Sequence, residues 1–246
     1  MRKIAAIILA AGRGTRMGGD IPKALLEIDG TPIIIKSLKN LYKLDNLGTV
    51  VVVVGFKADL VMDVVKRDFP QVRFVIQKEL LGTGHALHVA LDSQFINESD
   101  FLLLFADDSS FYSLNTLSNF VNYHYLQNSK ITMLVSRTTA SNQLGGLRIS
   151  GDGIVEDIIT KENLENINDQ RFILCGAFCL NSEWIKRYNG EFPINPNSNE
   201  YPLPSGLIYL SRKYNELIRS YLLEDTNEWK SINTPEEYEN AKNKIR

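Results

Sequence analysis

The 246-residue sequence holds only two cysteines, Cys175 and Cys179. Two thiols cannot build the disulfide framework of a small secreted domain. Their CGAFC spacing is too wide for a redox CxxC pair. On one strand both would point to the same face, as core residues. Charge of one sign is also missing, with 27 basic residues against 29 acidic. That near-neutrality argues against coating a nucleic acid, which takes a clear basic excess. It leaves room for a small anionic ligand, which needs only a local cluster of donors. Long apolar runs are absent too. The apolar start, Ile4 to Ala11, is too short for a membrane span and runs straight into GRGTRMGG. No repeat, low-complexity tract or linker interrupts the chain. The expectation is a soluble, cytoplasmic protein with no nucleic-acid or membrane partner, able to bury about 70% of its unfolded surface without disulfide or metal.

What is present is a set of short apolar runs separated by longer amphipathic stretches. Ile4–Leu9, Thr49–Val54, Arg73–Ile76, Phe101–Phe105 and Ile131–Val135 read as strands. None alternates polar and apolar residues, so each is expected to be buried on both faces, as in a parallel sheet covered by helices. Ile33–Leu44, Lys57–Asp68, Gly84–Ser93 and Asn115–Gln127 carry helical spacing. Alternating β and α segments imply βαβ units in one sheet. Beyond residue 135 the character changes. Leu147–Ser150 and Gly153–Ile159, punctuated by glycines, read as a hairpin, and Arg171–Leu180 as a further strand. Residues 191–204, rich in Pro and Asn, read as a loop that serves as a lid or an oligomer contact. Leu207–Arg212 and Ile218–Leu223 follow. Residues 234–244 read as a terminal helix with Thr234 as N-cap and Pro235 at its first position. The fold class expected is a single mixed α/β domain over 1–246, with a parallel half to residue 135 and a hairpin-decorated half after it.

The strongest chemical signal is Ile7–Gly19, IILAAGRGTRMGG. A strand ends at Leu9 and gives way to small residues. Gly12 and Gly14 allow positive φ and remove side chains, so that backbone N–H groups can approach an anion. Arg13 and Arg16 add guanidinium forks suited to phosphate oxygens, and Lys23 adds a point charge nearby. The pattern is neither a Walker loop, which needs GxxxxGK followed by Ser or Thr, nor a dinucleotide fingerprint, whose third glycine is here Met17.

The whole string resembles the signature loop of the nucleotide-sugar pyrophosphorylases, and most closely that of the uridylyltransferase domain of bacterial N-acetylglucosamine-1-phosphate uridylyltransferase. Further motifs follow in that family's order: Pro22–Lys23, then Gln77–Leu87 (QKELLGTGHAL), then Phe101–Phe105 running into Ala106–Asp107, then Trp229–Asn233 before the last helix. The match is dense to about Asp107 and thin beyond, and nothing in it corresponds to the β-helical acetyltransferase domain of the bifunctional enzyme. The resemblance implies a GT-A-like, Rossmann-like three-layer fold. It implies transfer from an NTP, UTP by the family pattern, to a sugar 1-phosphate, N-acetylglucosamine 1-phosphate by the same pattern. Pyrophosphate is released, with Mg2+ as cofactor. A homo-oligomer is left open.

Residue by residue, Leu9, Ala10, Ala11 and Gly12 would face the nucleoside. Arg13, Gly14, Thr15 and Arg16 would wrap the triphosphate, with Arg16 carrying the leaving group's charge. Lys23 would bridge the phosphates of both substrates. Gln77 offers an amide with paired donor and acceptor for a pyrimidine edge. Gly82 and Thr83 would contact the base, and by resemblance these three select uracil. His85 reads as capping or packing a helix start; His88 and His124 read as surface residues. Ala106 stands where the family has glycine. Asp107 follows an apolar strand, so it sits at the carboxyl edge of the sheet as a hard oxygen ligand for the metal. Asp108 is a second acid able to coordinate, and Asn233 is the second metal ligand. For the sugar, the resemblance points to Gly146, Gly176 and Glu200. Two family ligands are missing: Ile159 takes the register of a glutamate, with Glu156 and Glu162 as neighbours, and Leu174–Cys175–Gly176 replaces Asn-Thr-Gly. The alternatives are a cytidylyl- or other nucleotidyltransferase on a different phosphorylated acceptor, or an inactive nucleotide-binding regulatory module.

Overall fold

The strand Ile4–Ala10 (β1) explains the layering. All seven residues are buried. Ile4, Ala6, Ile8 and Ala10 join one apolar cluster, while Ala5, Ile7 and Leu9 join another. A strand's side chains alternate between faces, so an unbroken apolar run is stable only with cover on both sides. The computed structural model describes residues 2–14, 18, 20–138, 146–159 and 171–243. Thr15, Arg16, Gly145 and Glu162 lie outside the described residues.

After β1 come a two-residue ribbon, β2 (Glu27–Ile28) and β3 (Thr31–Pro32), then α1 (Ile33–Leu41), β4 (Leu47–Val54), α2 (Ala58–Asp68), β5 (Arg73–Ile76), α3 (Gly82–Asp92), β6 (Asp100–Phe105) and α4 (Leu114–Leu126). The second half holds β7 (Ile131–Thr138), β8 (Gly146–Ile149), β9 (Val155–Ile159), β10 (Arg171–Asn181), α5 (Ser182–Tyr188), α6 (Leu203–Tyr214), β11 (Ile218–Leu222) and α7 (Pro235–Asn243). The main sheet runs β11-β7-β10-β6-β1-β4-β5, with the β8–β9 hairpin attached to β10. β6, β1, β4 and β5 are parallel neighbours, and β10 runs antiparallel between β6 and β7. Helices α1, α2 and α4 cover one face and α3, α5 and α6 the other. The expected mixed sheet with a hairpin in its second half is the observed one.

Two expectations need correction, and one helix was not anticipated. β5 is an edge strand, and its four residues are exposed or half-buried, because among the described residues only β4 pairs with it. An apolar run of four does not reveal whether a second neighbour exists. His124 is buried, with Nδ1 at 2.7 Å from Thr132 Oγ1 and Nε2 at 3.4 Å from Asp100 Oδ1. Polar partners at those positions make an interior imidazole tolerable. The helix α5, capped by the Asn181 side chain, was hidden in the sequence by its short length. The two cysteines lie on the same side of β10, in one core cluster, as free thiols. Thr234 Oγ1 accepts from Glu237 N at 3.2 Å and so caps α7 as expected.

Candidate active site

Four parallel strands deliver their carboxyl ends to one edge. Hydrogen bonds extend the ladder one or two residues past the strands: Ala106 N to Leu9 O at 3.1 Å, Phe56 N to Ala11 O at 3.0 Å, and Gln77 N to Val54 O at 2.8 Å. The chain leaves β1 toward β4 on one side and is flanked by β6 on the other, which opens a crevice at the end of β1. A cleft of about 860 Å³ lies there. It is lined by residues 9–14, Lys23, Gln77, Gly82, Thr83, Ala106, Asp107, Asp108, Glu200 and Asn233. These residues, picked from six separate stretches of sequence, therefore share one cavity. Arg16 and Thr15 are outside the described residues.

Gly14 adopts φ +62°, and a Cβ there would press on the Lys23 stem at 3.2 Å. The glycine lets the turn fold back over Lys23. Gly12, by contrast, keeps an ordinary φ, and nothing lies within 4 Å of where its Cβ would be. Its value is open space facing the cleft, not positive φ. The Arg13 guanidinium lies 5.5 Å from the Phe56 ring centroid.

Lys23 anchors the charged end of the cleft. Its ammonium bonds both Asp107 Oδ2 and, at 2.8 Å, Asn233 Oδ1. Lys23 and Asp107 are 13% and 26% exposed, so this is a half-desolvated pair that solvent and a ligand can still reach. Asn233 is oriented: its Nδ2 donates to Ser231 Oγ at 2.6 Å, and its backbone N donates to Glu237 Oε2, also 2.6 Å. With the amide nitrogen tied, Oδ1 must face Lys23 and Asp107. Ser231 and Glu237 were not singled out in the sequence. The T-x-x-E pattern at Thr234–Glu237 is a capping-box signal that could have found Glu237.

Asp108 lies deeper. Burial, then the Asp107 charge, pushes its carboxyl well above the usual carboxylate range. Gly176 (φ +67°) sits at an irregularity in the β10–β7 register, and a Cβ there would fall 2.3 Å from Asp108 Oδ2. Only glycine accepts both the conformation and the contact. Tyr112, fully buried, donates its hydroxyl to Cys175 O and holds this bulge.

At the other end of the cleft, Gln77 is 3% exposed. Its Nε2 donates to Gly82 O at 3.1 Å and meets His85 Nδ1 at 3.0 Å. The donor half of this amide is thus spent inside the protein, so Oε1 alone is left for a ligand, where the sequence offered a paired donor and acceptor. Thr83 Oγ1 accepts from Leu203 N at 2.9 Å, while Tyr201 exchanges backbone bonds with Leu81 and Gly84. These ties pack the segment before α6 against α3 as a wall of the cleft.

The three sugar candidates do not converge. Glu200 lines the cleft, Gly176 faces Asp108, and Gly146 lines a second cavity of about 920 Å³. That cavity has walls of Leu147, Ile158, Ile173, Leu174, Ile208 and Trp229, and it meets the cleft at Pro202. Among the described residues, no group of three or more His, Cys, Asp or Glu is arranged to hold a metal ion, and no helix is long and apolar enough to cross a membrane.

Comparison with known proteins bears on this geometry. The MobA-like NTP transferase domain matches residues 6–230. "Bifunctional protein GlmU" of Lactococcus lactis subsp. lactis is 30% identical over 231 residues, covering 93% of this chain and 49% of the relative. The protein of the same name from Thermosipho melanesiensis is 30% identical over 243 residues, 98% of this chain and 50% of the relative. The chain spans about half the length of these curated relatives. Among solved structures, apo UDP-glucose pyrophosphorylase superposes with a TM-score of 0.78 at 20% identity, covering 100% of this chain and 98% of that one. HddC from Yersinia pseudotuberculosis, complexed with GMP-PN, gives 0.76 at 24% identity, with 99% and 100% covered. These two likenesses speak to the fold. The family model spans most of the chain, which shows that the chain belongs to the MobA-like NTP transferase domain family.

Proposed function

We propose that the protein transfers a nucleotidyl group from an NTP to a phosphorylated acceptor and releases pyrophosphate, with UTP and a sugar 1-phosphate as the substrates to test first. The single observation that carries this reading is the convergence of Lys23, Asp107 and Asn233 at the carboxyl edge of the parallel strands. Attack by one phosphate on another brings anions together, so the work is positioning and charge neutralisation and needs no covalent nucleophile. Lys23 has the flexible stem to leave its oxygen partners and reach phosphate oxygens. The turn at residues 9–14 offers backbone donors in open space beside it.

Mg2+ fits the residues present. Asp107 and Asn233 supply two hard oxygens that already converge on one cation, the Lys23 ammonium. A carboxylate, an amide oxygen, substrate phosphates and waters make an ordinary Mg2+ set. When bound, the ion would neutralise phosphate charge during transfer. Asp107 and Asn233 would hold it, and Ser231 and Glu237 would keep Asn233 aimed at it. Arg16, by resemblance, would carry charge on the pyrophosphate.

The base rests on the Gln77 pocket. Solved fold neighbours are complexed with CTP, GMP-PN and UDP-glucose, so the shared architecture accepts several bases. The resemblance of Gln77–Leu87 to the uridylyltransferase motif supports UTP. The test is pyrophosphate release with each NTP, with Mg2+ or EDTA, against a panel of phosphorylated acceptors. Turnover that needs UTP and Mg2+ supports the reading. Binding of NTP with no turnover on any acceptor would favour an inactive regulatory module.

A second reading of the acceptor has its own observation. Several polar groups on the wall of the second cavity bond within the protein: Arg212 with Asp157 and Glu156 O, Lys213 with Glu191, and Ser205 with Pro202 O. A polyhydroxylated ring placed there would lose water and gain few partners, at roughly 1–3 kcal/mol per unpaired hydroxyl. This favours a hydroxyl-poor phosphorylated acceptor. Comparing hexose 1-phosphates with deoxy and alkyl phosphates in the same assay separates the two.

A further inference from the structure

The first turn of α3 presents two acceptors to one amide. Gly82 and His85 are three residues apart and share a helix face, so the Gly82 carbonyl and the His85 ring both reach Gln77 Nε2, at 3.1 and 3.0 Å. An amide nitrogen only donates. His85 Nδ1 therefore carries a lone pair, and in the neutral ring the proton sits on Nε2. The opposite amide orientation is inferior. It would set Oε1 against the Gly82 carbonyl oxygen, acceptor on acceptor, and would need the other His85 tautomer. Gln77 is almost wholly enclosed yet lines the cleft, and its Oε1 accepts no hydrogen bond from the described residues.

We propose that His85 is a positioning residue that locks the Gln77 amide with its oxygen toward the cleft, so that the nucleobase is selected by an N–H it points at that oxygen. The inference rests on the reading of this cleft as an NTP site. It assigns the recognised edge by chemistry: the imide N–H of uracil or the amino N–H of cytosine qualifies, and an edge with its donor blocked does not. His85 touches no substrate; it acts through Gln77.

The probes are the preferred NTP and its donor-blocked analogue, 3-methyl-UTP for UTP or N4,N4-dimethyl-CTP for CTP. The variants are His85→Asn, whose Oδ1 can accept near the place of Nδ1, and His85→Leu, which cannot accept. The wild type should reject the blocked analogue by about a hundredfold in kcat/KM. His85→Leu should raise KM for the NTP about tenfold with kcat within about threefold, and should relax the preference among the four NTPs. His85→Asn should restore both. Equal use of the blocked and free nucleotide by the wild type overturns the proposal even if no variant folds. So does a His85→Leu enzyme with unchanged KM and unchanged preference. Thermal protection by NTPs keeps the two levels apart. Protection of the wild type that is unaltered in His85→Leu removes this inference alone, whereas no protection by any NTP removes the reading of the cleft and this inference with it.

Discussion

Asp107→Asn separates chemistry from stability. The change keeps size and one oxygen but removes the charge that faces Lys23. At a contact of 4 Å and an effective dielectric of 20, such a pair attracts by about 4 kcal/mol. Asp107 is 26% exposed and Lys23 13%, so water returns much of that energy when the pair is broken. Lys23 also keeps Asn233 Oδ1 at 2.8 Å. The net loss of stability is then roughly 1–2 kcal/mol, which for a chain of this length lowers Tm by about 2–8 °C. The rate should suffer far more, because the charge acts where two anionic phosphates must meet: about 10²–10³ in kcat, or ~2.7–4 kcal/mol. Calorimetry and pyrophosphate release on the same preparation check both numbers. A kcat within threefold of the wild type would refute the placement of Asp107 at the reacting phosphates. A collapse of Tm by much more than 10 °C would show a structural role instead.

Three further perturbations have definite directions. Gly176→Ala puts a methyl 2.3 Å from Asp108 Oδ2 at a φ of +67°, and a loss of about 1–3 kcal/mol is expected by denaturant titration; no change would mean that the bulge can relax. Ser231→Ala frees the Asn233 amide, and the Mg2+ concentration for half-maximal rate should rise about tenfold while NTP preference stays constant. Asp100 should contribute to acid stability. Burial pushes its pKa up, but hydrogen bonds from His124 and Asn181 and the charges of Arg2 and His124 outweigh it, and the net shift is downward. A depressed carboxylate stabilises the fold above its unfolded pKa, here 3.8, and that stability is lost as pH falls through the lower folded value. The wild type should therefore outlast Asp100→Asn at pH 6, and the gap should close below about pH 4; a constant gap between pH 2 and pH 6 would contradict this.

The local sequence determined much of this protein. Unbroken apolar runs at residues 4–9 and 101–105 can be stable only when both faces are covered, so a helix-covered parallel sheet followed from composition and spacing. Thr234–Pro235 announced a helix start because capping is a matter of a few adjacent residues. The small residues of 9–14, Lys23 and Asp107 were legible because their chemistry and motif order are local. Tertiary structure alone decided which groups meet. Lys23 and Asn233 are 210 residues apart, and no local pattern states that one amide oxygen faces one ammonium. The spent donors of Gln77, the burial of His124 and the turning of Gly146 toward a separate apolar cavity have the same origin. A side chain's partners are set by packing across the sheet, and a hydrogen bond formed there removes or redirects a group that the sequence shows as free.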